Sequence, residues 1–145
     1  MQTACHQRGG SSTFIGPTLR NLNRTVTRGG DELNQLAYLR AAGVLGDGDL
    51  GAAMPDYRDE SLSLATRARA YLDINCAHCH NPDAWDESSR RDIDFRYTTP
   101  MDQTGIGRES RSIGRVLRAG EMPYLGTTLQ HDEGVGLVLK YLDSL

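Results

Sequence analysis

Five consecutive residues, Cys76-Ala77-His78-Cys79-His80, carry two thiols and two imidazoles in one short stretch. Cys76 and Cys79 are three apart, so on a helical turn they face the same side, and His80 follows the second at once. Thiols so placed can add to the two vinyl groups of a haem, and the next imidazole can then reach the iron from one face; C-x-x-C-H is the signature of that attachment. Zinc would use the same residue types, but Cys76, His78, Cys79 and His80 are too crowded along the chain to close a tetrahedron around one ion. A redox dithiol calls for a strand before it and a helix after it, whereas here a helical pattern precedes and a polar stretch follows. The favoured chemistry is covalent haem c on Cys76 and Cys79 with His80 as an iron ligand. His78, in the spacer, is expected to face solvent.

Haem iron held by one histidine leaves the opposite position to be filled. Met122, in Ala-Gly-Glu-Met-Pro-Tyr-Leu-Gly, lies 42 residues after His80, far enough for the chain to pass around a porphyrin and return. A thioether is soft and neutral, favours ferrous iron and raises the potential, and Pro123 would stiffen the loop behind it. Met101 and His131 compete for the position, and the plain alternative for Met122 is core filler.

The elements that must position these groups read as helices and loops. The first thirty residues are rich in Gly, Ser, Thr, Arg and Asn and read as irregular, with a turn at Gly16-Pro17. A helix is expected over Asp31 to Ala42, with Leu33, Leu36, Tyr38 and Leu39 as its apolar stripe and Gly43 as C-cap. A second, capped by Ser61 or Ser63, runs to about Asn75 and delivers the motif, with Leu64, Ala68, Tyr71 and Leu72 on one face. Residues 81–107 form a long polar connection that needs something to pack on, and a haem would supply that surface. Weak strand alternation appears only over Asp92 to Tyr97. Ser110 to Ala119 fits a short helix, and Asp132 to Leu145 a closing one with Val135, Leu139 and Leu142 along one face. The expected class is all-α.

Composition sets the outer limits. A chain of 145 residues holds one ordinary domain or two very small ones. With 38% hydrophobic and 24% charged residues it should fold as a soluble globule, and no stretch approaches the roughly 20 apolar residues that span a membrane. A net charge of −3 argues against a basic nucleic-acid-binding face. Lys140 is the single lysine, so the cationic side chains are arginines, which suit bidentate carboxylate pairing. Three cysteines are too few for a disulfide framework. Haem attachment of this kind takes place outside the cytoplasm, so a periplasmic or extracellular location is expected even though no signal peptide opens the sequence.

From about Leu62 to Leu145 the chain resembles a class I c-type cytochrome: a helix before C-x-x-C-H, a wrapping loop, a short helix, a Met-Pro loop and a closing helix. The resemblance implies that the first and last of these helices cross, with Tyr71 and Leu72 against Val135, Leu139 and Leu142. It departs from the family after the motif, where Asn81-Pro82 stands and the usual later Gly-Pro is missing. A fainter similarity, through Asp59-Glu60-Ser61-Leu62 and Asn75 to Pro82, is to the C-terminal part of uncharacterised secreted haem proteins. The N-terminal part repeats the order in damaged form: Cys5-His6, then Gly16-Pro17-Thr18-Leu19, a helix, and Met54-Pro55. Each Met-Pro leads into a helix bearing Tyr-Leu-Asp, at Tyr71-Leu72-Asp73 and Tyr141-Leu142-Asp143. Residues 1–61 are therefore expected to be a partial cytochrome c-like unit and residues 62–145 the haem domain, sharing the helix near 62–75. Cys5, His6 and Met54 are candidate attachment and ligand residues for a second haem, although Gln2 stands where a full motif needs a cysteine.

The expected function is electron transfer with redox partner proteins through His/Met-ligated iron, without catalysis. Arg108, Arg111, Arg115 and Arg118 could meet haem propionates or an acidic partner, and Trp85 or Tyr97 could bond a propionate or pack on the ring edge. Two other classes stay open: a subunit of a multi-haem assembly or filament, and a peroxidase-like enzyme or gas sensor with an open iron site.

Overall fold

The computed structural model describes residues 7–8, 11–12, 16–84, 92–123 and 129–145; Cys5, His6, Trp85 and Tyr124 fall outside them. The chain is mostly helical, with two short two-stranded ladders, and divides into two compact units, one of residues 16–55 and the other of residues 1–15 with 56–145.

In the 16–55 unit, Thr18 caps α1 (Leu19–Leu22) by accepting from the Asn21 N–H while Asn21 answers to the Thr18 N–H. Strands β3 (Thr25–Arg28) and β4 (Asp31–Asn34) then pair antiparallel, Val26 opposite Leu33. This corrects the helix expected from Asp31. Gly29 and Gly30 both have positive φ, 63° and 97°, and so make the tight turn that matches strand twist. Local turn chemistry therefore commits residues 31–34 to the ladder, and Asn34 caps a shorter helix, α2 (Gln35–Ala41), by accepting from the Ala37 N–H. Leu36 is wholly buried, while Tyr38 of the expected stripe is exposed. Gly43 ends α2 as expected: at φ 72° it donates to Arg40, and Val44 donates to Leu39, the paired bonds of a Schellman cap. Met54 is half-buried and its N–H bonds the Arg20 carbonyl.

The other unit contains the short ladder of β1 (Gln7–Arg8) and β2 (Ser11–Ser12) and the three long helices. Ser63, not Ser61, caps α3 (Leu64–Cys76), accepting from the Thr66 N–H; Ser61 is occupied with Asp59. α4 (Ile106–Arg118) begins a turn earlier than expected, because Gly105 at φ 69° lets the chain start the helix against the Asp92 carbonyl, which a Cβ there would meet at 2.4 Å. α5 (Asp132–Leu142) closes the chain. One core joins Ala68, Tyr71 and Leu72 of α3 to Ile106, Ile113 and Leu117 of α4 and to Leu137, Val138, Tyr141 and Leu142 of α5. The expected pairing of α3 with α5 is present. Leu142 belongs to it, Val135 and Leu139 lie at the core's edge, and Leu137, Val138 and Tyr141 carry more of the burial. Tyr71 lies directly over Gly134, where a Cβ would come within 2.0 Å of its ring.

Residues 92–99 form a bonded loop and not the strand suggested by their alternation. The buried Asp94 carboxylate takes both Nε and Nη2 of Arg96 (2.9 and 2.7 Å), the Arg96 N–H and the Thr99 hydroxyl. From α3, Arg69 donates to the carbonyls of Arg96, Tyr97 and Thr99 while its guanidinium stacks on Tyr97, and Asp73 accepts the Tyr97 N–H. Burial raises the Asp94 pKa, but its bonds from Arg96 and Thr99 more than offset this and hold it below its ordinary 3.8. A depressed folded-state pKa contributes stability that is complete above the unfolded value and is lost as pH falls through the folded one. Acid unfolding followed by far-UV circular dichroism should therefore show stability falling below the ordinary carboxylate range, and Asp94→Asn should be less stable at neutral pH with a flatter acid limb. An unchanged acid limb in that variant would contradict this role.

Candidate functional site

The motif is an extension of α3. The Ala77 N–H bonds Leu72, and the N–H groups of Cys79 and His80 both reach the Cys76 carbonyl at 3.1 and 2.9 Å. Cys76 and Cys79 thus sit one turn apart on a continuing helical path, both as thiols and both half-buried. Asn81 locks this turn. Its buried amide donates to Ala77 (2.6 Å) and accepts from the Asp83 N–H (2.9 Å), and the His80 carbonyl accepts from Phe95. The sequence marks Asn81 only as a departure from a family pattern, yet a buried amide that closes a turn is a position no apolar residue could fill.

Beside the motif lies a cavity of about 300 Å³, walled by Leu72, Ile74, Leu117, Leu129, Val135 and Val138, with Cys76 and Pro123 on its lining. Its polar groups are few: Asn75, His78, Gln130, and the Tyr71 hydroxyl bonded to His131 Nδ1 at 3.1 Å. His131 is thus a cavity residue, held between Tyr71 and the Tyr57 ring, with Nε2 3.7 Å from Glu133. His78 is exposed, as expected, but it also borders the cavity, and burial lowers its pKa. Burial, then the neighbouring Cys79, pushes the Cys76 thiol up to about 12, and burial likewise takes Tyr71 to about 12. A redox dithiol depends on a thiolate with a lowered pKa, commonly at a helix N-terminus. Cys76 ends a helix and has a raised one, so the geometry disfavours that chemistry.

The iron-ligand candidates are placed less closely. The His80 ring meets Phe95 edge-on at 5.2 Å, and Met122 packs on the same core cluster as Cys76. Among the described residues neither His80, Met122 nor Cys79 lines the cavity. The thioether of Met101, an exposed residue, accepts a hydrogen bond from the Tyr141 hydroxyl at 3.2 Å. Gly120 at φ 68° forms another Schellman cap, with Glu121 donating to Val116, and the chain then reaches Met122 and a cis Met122-Pro123 bond. The Met122 carbonyl accepts from Gln130.

No protein family, no curated protein and no solved structure gives a match to this chain. The site must therefore be judged on its own chemistry. The two thiols have the spacing that covalent haem needs, and Cys76, though not Cys79, lines an apolar cavity at the lower end of the size range of cofactor sites. The ligand assignment rests on residue type. Among the described residues no cluster of three or more His, Cys, Asp or Glu is arranged to hold a metal ion, and no helix is long and apolar enough to cross a membrane. The arginines near Met122 are engaged locally: Arg115 with Glu121, Arg118 with Asp143, and Arg108 with the Asp92 carbonyl. Such exposed pairs contribute little to stability.

Proposed function

We propose that the chain is a c-type cytochrome, a small electron carrier outside the cytoplasm, with haem attached through Cys76 and Cys79 and ligated by His80 and Met122. The observation that carries this reading is the motif's helical turn, which puts two thiols one turn apart with Cys76 on an apolar cavity wall. Bound there, a haem supplies a one-electron ferric/ferrous couple. The chain's part is to hold it. Leu72, Leu117, Val135 and Val138 would exclude water from the group, Asn81 fixes the turn that carries both thiols, and Met122 would supply the second iron ligand. A second haem on Cys5 and His6 with Met54 rests on the sequence repeat alone.

An open-iron enzyme or sensor is the rival reading, and Met122 discriminates between them. Ferric wild-type protein is expected to show the weak far-red band of thioether-ligated iron. Met122→Ala should abolish the band, turn the iron high-spin, and lower the potential by a few tenths of a volt, within the roughly 0.8 V span set by axial ligands. A wild-type protein that is already high-spin would favour the enzyme reading.

A further inference from the structure

Gln130 lies beyond the Met122 loop, just before α5, and the sequence gives it no role. Its Nε2 donates to the Met122 carbonyl at 2.8 Å and to the Leu117 carbonyl at 3.1 Å. Two carbonyl acceptors can be met only by the NH₂ end of the amide, so its orientation is fixed by chemistry. The two bonds span the turn that ends α4. One holds the last turn of the helix and the other holds the residue whose side chain is the proposed ligand. Between them, Gly120 and Glu121 are already tied back to Leu117 and Val116. The backbone at Met122 is therefore held by Gln130 at its carbonyl and by the capped turn that precedes it.

We propose that Gln130 is a positioning residue for the Met122 thioether: it sets how firmly Met122 stays on the iron, without touching the iron itself. This rests on the Met122 ligation proposed above. Gln130→Glu keeps the shape but sets a carboxylate against two carbonyls, whereas Gln130→Lys keeps a donor that can reach both. The test is titration of the ferric holoprotein with imidazole, following loss of the far-red band. Gln130→Glu should lose the band at about tenfold lower imidazole than wild type, the effect of roughly one to two hydrogen bonds, and Gln130→Lys should behave as wild type. Far-UV circular dichroism should show the same helix content in all three proteins. Equal imidazole midpoints in wild type and Gln130→Glu, or a Gln130→Lys protein as labile as Gln130→Glu, would overturn the role of Gln130 and leave Met122 ligation standing. A wild-type holoprotein without the band would overturn both.

Discussion

Gly134→Ala is expected to destabilise the 56–145 unit by about 3 kcal/mol, at the upper end of what a small-to-large change in a packed core costs. The added methyl would lie 2.0 Å from Tyr71 Cε2 and 2.1 Å from Cζ. That ring cannot swing aside without further loss, since Tyr57 meets it edge-on at 5.4 Å and its hydroxyl is hydrogen-bonded with His131 Nδ1. The alternative is for α3 and α5 to separate, which would open the cavity wall formed by Leu72 and Val138. Gly136, two residues on, provides an internal control: nothing lies within 4 Å of a Cβ there. Gly136→Ala should therefore stabilise by roughly 0.5–1 kcal/mol through helix propensity alone. Urea unfolding of both variants checks this, and a Gly134→Ala loss below about 0.5 kcal/mol would show that the two helices do not meet so closely. Adding Tyr71→Ala to Gly134→Ala should remove most of the clash, giving a non-additive double-mutant cycle.

The second large effect concerns cofactor retention. Cys76→Ala with Cys79→Ala should leave a chain from which haem is fully extracted by acidified organic solvent, while each single variant retains one thioether and holds its haem. The variants should also differ in folding. A bound haem would cover the apolar side chains of Leu72, Leu117, Val135 and Val138 that line the cavity, and burying apolar surface favours the folded state. The double variant purified without haem should therefore unfold at lower urea than the wild-type holoprotein, because a bound group that prefers the folded state stabilises it by mass action. Solvent-extractable haem in the wild-type protein would contradict covalent attachment.

Much of the helical frame was legible in the sequence because its signals are local and periodic. A serine cap at 61 or 63 with the 3.6-residue stripe through Ala68, Tyr71 and Leu72, and the stripe through Val135, Leu139 and Leu142, each point to one element. The expected helix over residues 31–34 failed for an equally local reason. The Gly29-Gly30 turn outranks the apolar spacing of Leu33 and Leu36, and Asn34 serves better as a cap than as a helix interior. Long-range bonds had no such signature. Arg69 reaching residues 96–99, Tyr71 reaching His131 and Gln130 reaching back to Leu117 depend on where the chain returns, which no spacing rule encodes. The attachment half of the site was readable as five residues in a row. The proposed ligand half would join His80 to a residue far along the chain, and residue type alone nominates Met122.

The most direct test of covalent haem at Cys76 and Cys79 is the intact mass of the protein produced in a cell that has haem-attachment machinery. At least one haem increment is expected on the polypeptide, and peptide mapping should place it on the fragment containing Cys76, Cys79 and His80. A second increment would lie on the fragment containing Cys5. A mass equal to that of the bare chain, with Cys76 and Cys79 both open to alkylation, would contradict the account.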